Sequence, residues 1–391
     1  MDLAPTDSSR AHVVIAGGGF AALEALIALR ELAGDRVAIT LISPEPVFCY
    51  RPAATAEVFA EGPGRLYDLR AIATDLGATY HQVRLETVGT TSKYVRLSSG
   101  ARLPYDVLVL AVGTRARSTI SGALTFRDQR DAPLFRRLLA EIGAGEVGRL
   151  AFAQPAGPSW PVPLLELALL SRTFAAEHGQ HVRITVVSPE PSPLAVFGSE
   201  ASALVSELLE ARGVRFVGSS AGEAMARDGS LELHSGERIE ADRVVAVPQL
   251  RGQWITGVPT SWWGFVPTDA SGRVEDLDGV YAAGDMTTFP IKQAGLATQQ
   301  SDRIAHHVAA ALGADVPAAD PRHVLRARLL GGERPLFLRA EIDGYGRPIA
   351  ASLAAGRAQE PPGDAKVFAR YLTPYLEAHE PPLTPLLAPA A

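Results

Sequence analysis

Cysteine is almost absent from this chain: Cys49 is the only one in 391 residues. No disulfide can close within the chain, and a reducing, cytoplasmic setting is the expectation, with a peripheral position on the inner face of a membrane left open. Long apolar runs are missing as well. No stretch reaches about 18 uninterrupted apolar residues, so no membrane-spanning helix is expected. Met1 to Ala11 is polar, carries Pro5 and has no apolar h-region, so it does not read as a signal peptide. A basic excess is also lacking. Lys and Arg total 37 against 43 Asp and Glu, a net charge of -6, which gives no reason to expect nucleic acid or an anionic membrane surface. His306-His307 stand without a Cys or carboxylate partner at ligand spacing, so they read as a polar helix face and no metal site is expected. What remains is an ordinary globular balance, 47% apolar and 20% charged, long enough for two or three domains.

The stretch His12 to Leu29 organises what is present. His12 to Ala16 is a short apolar run with β-branched residues, the pattern of a buried parallel strand. Gly17, Gly19 and Ala22 then fit G-x-G-x-x-G/A, and from Phe20 the apolar residues recur at helical spacing. Gly17 permits a tight turn, Gly19 lets backbone approach a pyrophosphate, and Ala22 lets the helix pack closely on the strand. The free amides and dipole of that helix N-terminus suit a diphosphate. A glycine-rich turn in an ordinary α/β unit is the bland alternative. Arg36 to Ile42 reads as the second strand. An acidic residue usually ends that strand and takes ribose hydroxyls. Here the position is Ser43, with Glu45 two residues on.

Pro46 to Pro52 reads as a loop and holds Cys49, Arg51 and Pro52. Leu66 to Leu76 reads as helix. Thr79 to Val88, Lys93 to Leu97 and Ala101 to Leu103 read as antiparallel strands. Tyr105 to Ala111 is a buried strand leading through Val112 to a turn at Gly113. A second block begins near Ser121 and repeats the β-α-β-α-β alternation. Its strands include Gly148 to Ala153, Val182 to Val187 and a final group, Val214 to Val217, Glu232 to His234 and Arg243 to Val247. Its helices include Val162 to Glu177 and Glu200 to Arg212. Ile-Thr-Leu-Ile-Ser-Pro-Glu-Pro at 39–46 recurs as Ile-Thr-Val-Val-Ser-Pro-Glu-Pro at 184–191, an internal repeat of the unit. Gly279 to Ala283 is a last buried strand ending in Gly284-Asp285, and Lys292 to Leu312 reads as a long helix. After Pro321 come two strands, a turn at Asp343-Gly344 and a closing helix Val367 to Ala378. The tail from Pro381 is rich in Pro and Ala and reads as disordered. The fold class is α/β: two Rossmann-like dinucleotide-binding domains, 1–120 with 250–320 and 121–249, plus a small C-terminal α+β unit, 321–391.

The Gly17 fingerprint, the Tyr105-to-Gly113 strand and Ala283-Gly284-Asp285 together resemble the FAD-binding domain of the two-dinucleotide-binding-domain flavoproteins, the pyridine nucleotide-disulfide oxidoreductase superfamily. Phe197-Gly198, Gly264 to Asp269 and Lys292 to Gln300 look most like the sulfide:quinone reductase and type II NADH dehydrogenase branch. The resemblance implies FAD as cofactor. Gly17, Gly19, Phe20 and Ala22 would form its diphosphate turn, Ser43 and Glu45 its ribose side, and Ala111 and Gly113 a further strand end. Gly284 and Asp285 would meet the ribityl chain, and Arg51-Pro52 lies where the family's loop passes the flavin. Lys292, Gln293 and Ala294 would stand at its N1 and C2 side, where an ammonium stabilises the anionic reduced flavin. A solvated lysine at a helix start is the other reading of Lys292.

Two departures shape the expected function. Counting back from Glu166, the second domain's fingerprint positions hold Ser159, Pro161 and Leu164, with Trp160 between them. Prolines remove amides that would bind phosphate, which weighs against NAD(P)H in the usual mode without removing it as a donor. Trp160 and Pro161 could line a substrate pocket, or Trp160 could be a core or interface residue. Glu166 could carry protons beside the flavin, or be an exposed helix glutamate. The branch's two-cysteine relay is absent. Cys49 could act as a lone thiolate, or be a small buried thiol. Trp262-Trp263 could stack on an aromatic substrate or sit in the core. Arg326 to Leu330 and Phe368 to Leu376 are short amphipathic stretches that could touch a membrane surface, or form a lid or a homodimer surface. The expected function is an FAD-dependent oxidoreductase passing two electrons to a quinone or other small acceptor, with the donor open and no redox disulfide. A flavin-containing, redox-responsive binding protein and a sulfide or thiol oxidoreductase using Cys49 are the alternatives.

Overall fold

The computed structural model describes residues 10–60, 64–331, 334–349, 354–356 and 366–379. Most of the N-terminal segment and the Pro- and Ala-rich tail lie outside the described residues. The β-branched run Ala11–Ala16 is the middle strand of a five-stranded sheet, ordered Val280–Ala282, Val107–Leu110, Ala11–Ala16, Val37–Ser43, Thr79–Gln82. All its pairings are parallel, and Val13 to Ala16 are buried, as a sheet covered on both faces requires. The strand Val280–Ala282 returns from far along the chain, so the first domain is discontinuous. Helix Phe20–Ala33 covers one face and packs against helix Ala294–Ala311, pinned by a bond from Ser301 Oγ to the Ala21 carbonyl at 2.7 Å.

A second parallel sheet runs Leu124–Thr125, Arg243–Ala246, Arg149–Ala153, Arg183–Val187, Val214–Val217. Helix Val162–Glu177 covers it with Leu164, Leu165, Leu167 and Leu169 buried. The two crossings between the domains pair antiparallel, Arg115–Arg117 with Gln249–Arg251. The C-terminal unit is a three-stranded antiparallel sheet, His323–Leu329, Leu336–Ile342 and Ala354–Gly356, followed by helix Leu372–Ala378.

Several elements depart from the sequence expectation. Thr79–Gln82 is a parallel edge strand, and only Leu85–Gly89 joins the antiparallel sheet with Tyr94–Leu97 and Arg102–Pro104. Leu231–Leu233 belongs to a separate antiparallel sheet with Gly222–Met225 and Arg238–Ile239. Leu66–Asp68 is a strand against Val47–Cys49. Asp68 then caps helix Leu69–Asp75 by accepting from Ala71 N at 2.8 Å, which fixes where the helix can begin. The closing helix starts at Leu372. The carboxylate of Glu24, fully buried, accepts from the amides of Tyr371 and Leu372 at 3.1 and 2.7 Å and so sets its first turn. Arg326 to Leu329 is strand, and Leu372 and Leu376 are buried in the core that contains helix Phe20–Ala33. The apolar side of this end of the chain therefore faces the interior of the molecule. No described helix is long and apolar enough to cross a membrane.

Candidate active-site cleft

The carboxyl ends of both sheets open on one cleft of about 1620 Å³. Ligands in open α/β sheets bind at such strand ends. After the first strand the chain turns at Gly17, whose N–H donates to the Ile42 carbonyl at 2.8 Å. Gly17 has φ of +138°, and a Cβ there would lie 2.1 Å from the Ala111 carbonyl oxygen, so no other residue fits. A Cβ on Gly19 would meet nothing within 4 Å: this side of the turn opens on the cleft. Gly19 caps helix Phe20–Ala33 with no side-chain bond, leaving the first amides for a ligand. Phe20 lines the cleft and packs edge-on to Phe48 and Tyr50. Ala22 is wholly buried and acts through helix packing. Ser43 is buried, its Oγ accepting from Glu45 N at 3.2 Å, while the Glu45 side chain stands exposed at the cleft edge.

Ala111 and Gly113 line the cleft at the next strand end, and Gly284 and Asp285 at the one beyond. Burial pushes the Asp285 carboxyl up, against the pull of Lys292 and Arg51. Lys292 lies just before its helix, not in it, because Gln293 takes the cap by accepting from Leu296 N at 2.9 Å. The buried Lys292 ammonium donates to the carbonyls of Thr287 and Phe289 and sits 3.9 Å from the centre of the Phe265 ring. Burial lowers it to about 8, with Asp285 opposing. Gln293 and Ala294 complete this wall.

The loop Arg51-Pro52 lines the cleft, Arg51 lying 3.7 Å from Asp128. Cys49 is half-buried and donates to Gln129 Oε1. Burial, with Asp128 beside it, pushes the thiol up to about 12, so at neutral pH it is protonated. Glu166 is buried, not an exposed helix residue. It accepts from Thr55 Oγ1 at 2.6 Å, Leu330 N at 3.0 Å and Lys366 Nζ at 2.7 and 2.8 Å. One carboxylate thus joins the Arg51 loop, the second domain and the C-terminal unit on the cleft wall. Sequence reasoning missed Thr55 and Lys366. Lys366 has no local motif, and its partner is 200 residues away.

The second domain's turn is built differently. Gln154 N donates to the Val187 carbonyl, the position Gly17 holds in the first domain. Eight residues, Gln154 to Pro161, separate strand and helix here, against three, Gly17 to Gly19, in the first domain. The longer loop bonds to itself and its neighbours. Gln154 Nε2 donates to Ser159 Oγ at 2.7 Å and Ser188 Oγ to Gln154 Oε1 at 2.8 Å. Gln249 Nε2 donates to the Ala156 carbonyl at 2.7 Å. Trp160 lines the cleft; Pro161 is buried and caps the helix instead. Trp262 is 77% exposed, so it is not a core residue, and Trp263 lies under Arg251; neither lines the cleft. His306 is buried against the Asp302 carbonyl, not part of a polar face. Among the described residues no group of three or more metal-ligating side chains forms.

Residues 11–310 match the family model described as pyridine nucleotide-disulphide oxidoreductase. Monodehydroascorbate reductase 4, peroxisomal, of Arabidopsis thaliana is 24% identical over 72% of this chain and 61% of its own length. The ferredoxin–NAD(+) reductase component of the biphenyl dioxygenase system of Paraburkholderia xenovorans is 25% identical over 61% of this chain and 58% of its own. The chain thus spans about three fifths of the length of these curated relatives. The sulfide:quinone oxidoreductase structure from Aquifex aeolicus has a TM-score of 0.75 at 20% identity, covering 85% of this chain and 84% of that one. An NDH2 structure from Plasmodium falciparum gives a TM-score of 0.57 at 16% identity, covering 71% of this chain and 64% of that one. The fold, the strand-end cleft and the family match agree: the chain belongs to the pyridine nucleotide-disulphide oxidoreductase family, a family of FAD-binding flavoproteins.

Proposed function

We propose that this chain is an FAD-dependent oxidoreductase that passes two electrons to a quinone or comparable small organic acceptor, without a redox disulfide and without nicotinamide bound at the second domain's turn. FAD fits the residues present. Gly17 and Gly19 leave an open turn with uncapped amides for the diphosphate, and Asp285 offers a carboxylate to a sugar-chain hydroxyl. Lys292 holds a buried positive charge beside them. When bound, FAD supplies reversible two-electron chemistry. The chain orients it, and Trp160 presents a large flat side chain to the same cleft. Glu166 and Lys366 hold a hydrogen-bonded proton donor and acceptor on its wall. Cys49, a protonated thiol, supports neither a persulfide nor a thiolate step.

The observation that carries this reading is the turn Gln154 to Pro161, eight residues against three in the first domain, in which Pro155, Pro158 and Pro161 have no amide to offer a diphosphate and Gln154, in the place of Gly17, is tied to Ser159 and Ser188. The test is anaerobic absorbance of the purified protein. NADH and NADPH are expected to leave the flavin band intact over minutes. After photoreduction, 1,4-naphthoquinone is expected to restore the band within seconds. Rapid bleaching by either nucleotide overturns the donor reading, failure of the quinone overturns the acceptor reading, and a colourless protein overturns both.

A further inference from the structure

The strand His323–Leu329 forms part of the cleft wall through Arg326, Ala327 and Arg328. It hangs from the Gln293 cap, whose Nε2 donates to the Arg326 carbonyl at 3.2 Å. Its other end is held where Glu166 takes Leu330 N. Arg326 therefore stands between the Lys292-Gln293 corner and the Glu166–Lys366 pair. Its surroundings are cationic. In register it faces Arg339 across the sheet, and like charges directly opposite are unfavourable. The nearby carboxylates are committed elsewhere. Glu341 accepts from Arg339 at 3.0 Å and Arg322 at 3.5 Å, Asp320 pairs with Arg322, and Glu166 holds Lys366. Arg328 lies over the Phe337 ring at 5.5 Å. The half-buried Arg326 guanidinium makes no hydrogen bond or ion pair with any described residue. Burial, then the charges of Arg339 and Arg322, disfavour its charged form and outweigh the weaker pull of Asp320 and Glu341. A guanidinium kept half-buried on a cleft wall, among other cations and without a paired carboxylate, is costly unless a ligand supplies the anion.

We propose that Arg326 anchors a carboxylate, or an equivalent single anionic group, on the small organic substrate of this cleft. The inference rests on the oxidoreductase reading and names the substrate class. The acceptor is a charged, water-soluble molecule, not a lipid-tailed one, and its anionic group lies against the C-terminal sheet. Arg suits this task because its planar fork takes a carboxylate with two parallel bonds.

The test is calorimetric titration of the flavin-loaded protein with benzoate and with its neutral isostere benzamide. Benzoate is expected to bind at least about tenfold more tightly, the scale of one hydrogen-bonded charge. Arg326→Gln is expected to remove that preference without lowering the thermal stability of the ligand-free protein, and Arg326→Lys to restore part of it. Equal binding of the two probes, no binding of either, or full benzoate preference in Arg326→Gln overturns the proposal. Flavin absorbance of the same sample tests the underlying reading separately. A yellow, photoreducible protein indifferent to the carboxylate overturns the anchor alone. Arg326-dependent benzoate binding by a protein that never retains flavin overturns the oxidoreductase reading and leaves the anchor standing.

Discussion

The two parallel sheets carry the same phrase at the same place and put it to opposite use. Ser43 ends the second strand of its sheet and Ser188 directly follows that of the other, and each accepts from the amide of the glutamate two residues on, Glu45 N at 3.2 Å and Glu190 N at 3.1 Å. In the first domain Gly17 and Gly18 pack closely in a short turn that leaves Gly19 open to the cleft, and Glu45 stays exposed at its edge. In the second, Gln154 sits where Gly17 would be, bonds Ser188 and Ser159, and closes the turn. Glu190 folds inward and accepts from Val196 N at 3.1 Å. One unit leaves the first amides of its helix without a side-chain cap; its repeat ties the residue in the same place to side chains of the loop and of the next strand end. A dinucleotide-type unit thus keeps its sheet and helix while its turn is rebuilt, because packing and register do not depend on the turn.

The largest effect that would break this contrast is at Gly17. Ala there places a Cβ 2.1 Å from the Ala111 carbonyl, against a φ of +138°. Gly17→Ala is expected to yield protein with less than about a tenth of the wild-type flavin per chain, because backbone must shift in the turn that receives the diphosphate. Absorbance per chain measures it, with circular dichroism reporting the fold. Ala at Gly157, in the second turn, meets Trp263 and Gln249 side chains at 3.0 and 3.2 Å and is expected to leave flavin content intact. Next is the tie between the halves. Lys366→Met leaves the Glu166 carboxylate, 2% exposed, without its cation, and is expected to cost roughly 3–5 kcal/mol in denaturant unfolding at neutral pH. Lys366→Met with Glu166→Gln is expected to recover much of that loss. Equal destabilisation by single and double variants would show that the charge pair is not what holds this wall.

The first half of this contrast was legible in the sequence and the second only partly. The fingerprint at Gly17, the β-branched run before it and Gly284-Asp285 each carry their meaning within a few residues, and the Rossmann-like alternation follows from periodicity. Counting back from Glu166 puts Ser159, Pro161 and Leu164 at the fingerprint positions. The strand-anchored count reaches Gln154 instead, and the difference is an insertion that a helix-anchored count does not register. Thr55, Lys366 and Arg326 came to the cleft through tertiary contacts across 111, 200 and 33 residues, which no local pattern encodes. Helix starts at Leu69, Ala294 and Leu372 were set by Asp68, Gln293 and the distant Glu24. Only the first two are local signals.

The smallest effect is a pH dependence at the glutamate that folds inward in the second domain. Burial pushes the Glu190 carboxyl up to about 7, its bond from Val196 N opposing, and its Oε2 has no partner among the described residues. In the unfolded chain it titrates near 4.3. Between these values the folded protein binds more protons than the unfolded one, so stability falls as pH rises from about 4.5 to about 7 and is level above that. Glu24, also raised to about 7 by burial, adds a second contribution of the same sign. Glu190→Gln is expected to remove part of the slope, up to roughly 3 kcal/mol between the two ends of that window. Urea unfolding of the wild type and the variant at pH 5 and pH 7.5 decides it. A slope that survives Glu190→Gln unchanged would mean that Glu190 reaches solvent. The closed turn of the second domain would then be open enough to bind what its sequence argues against.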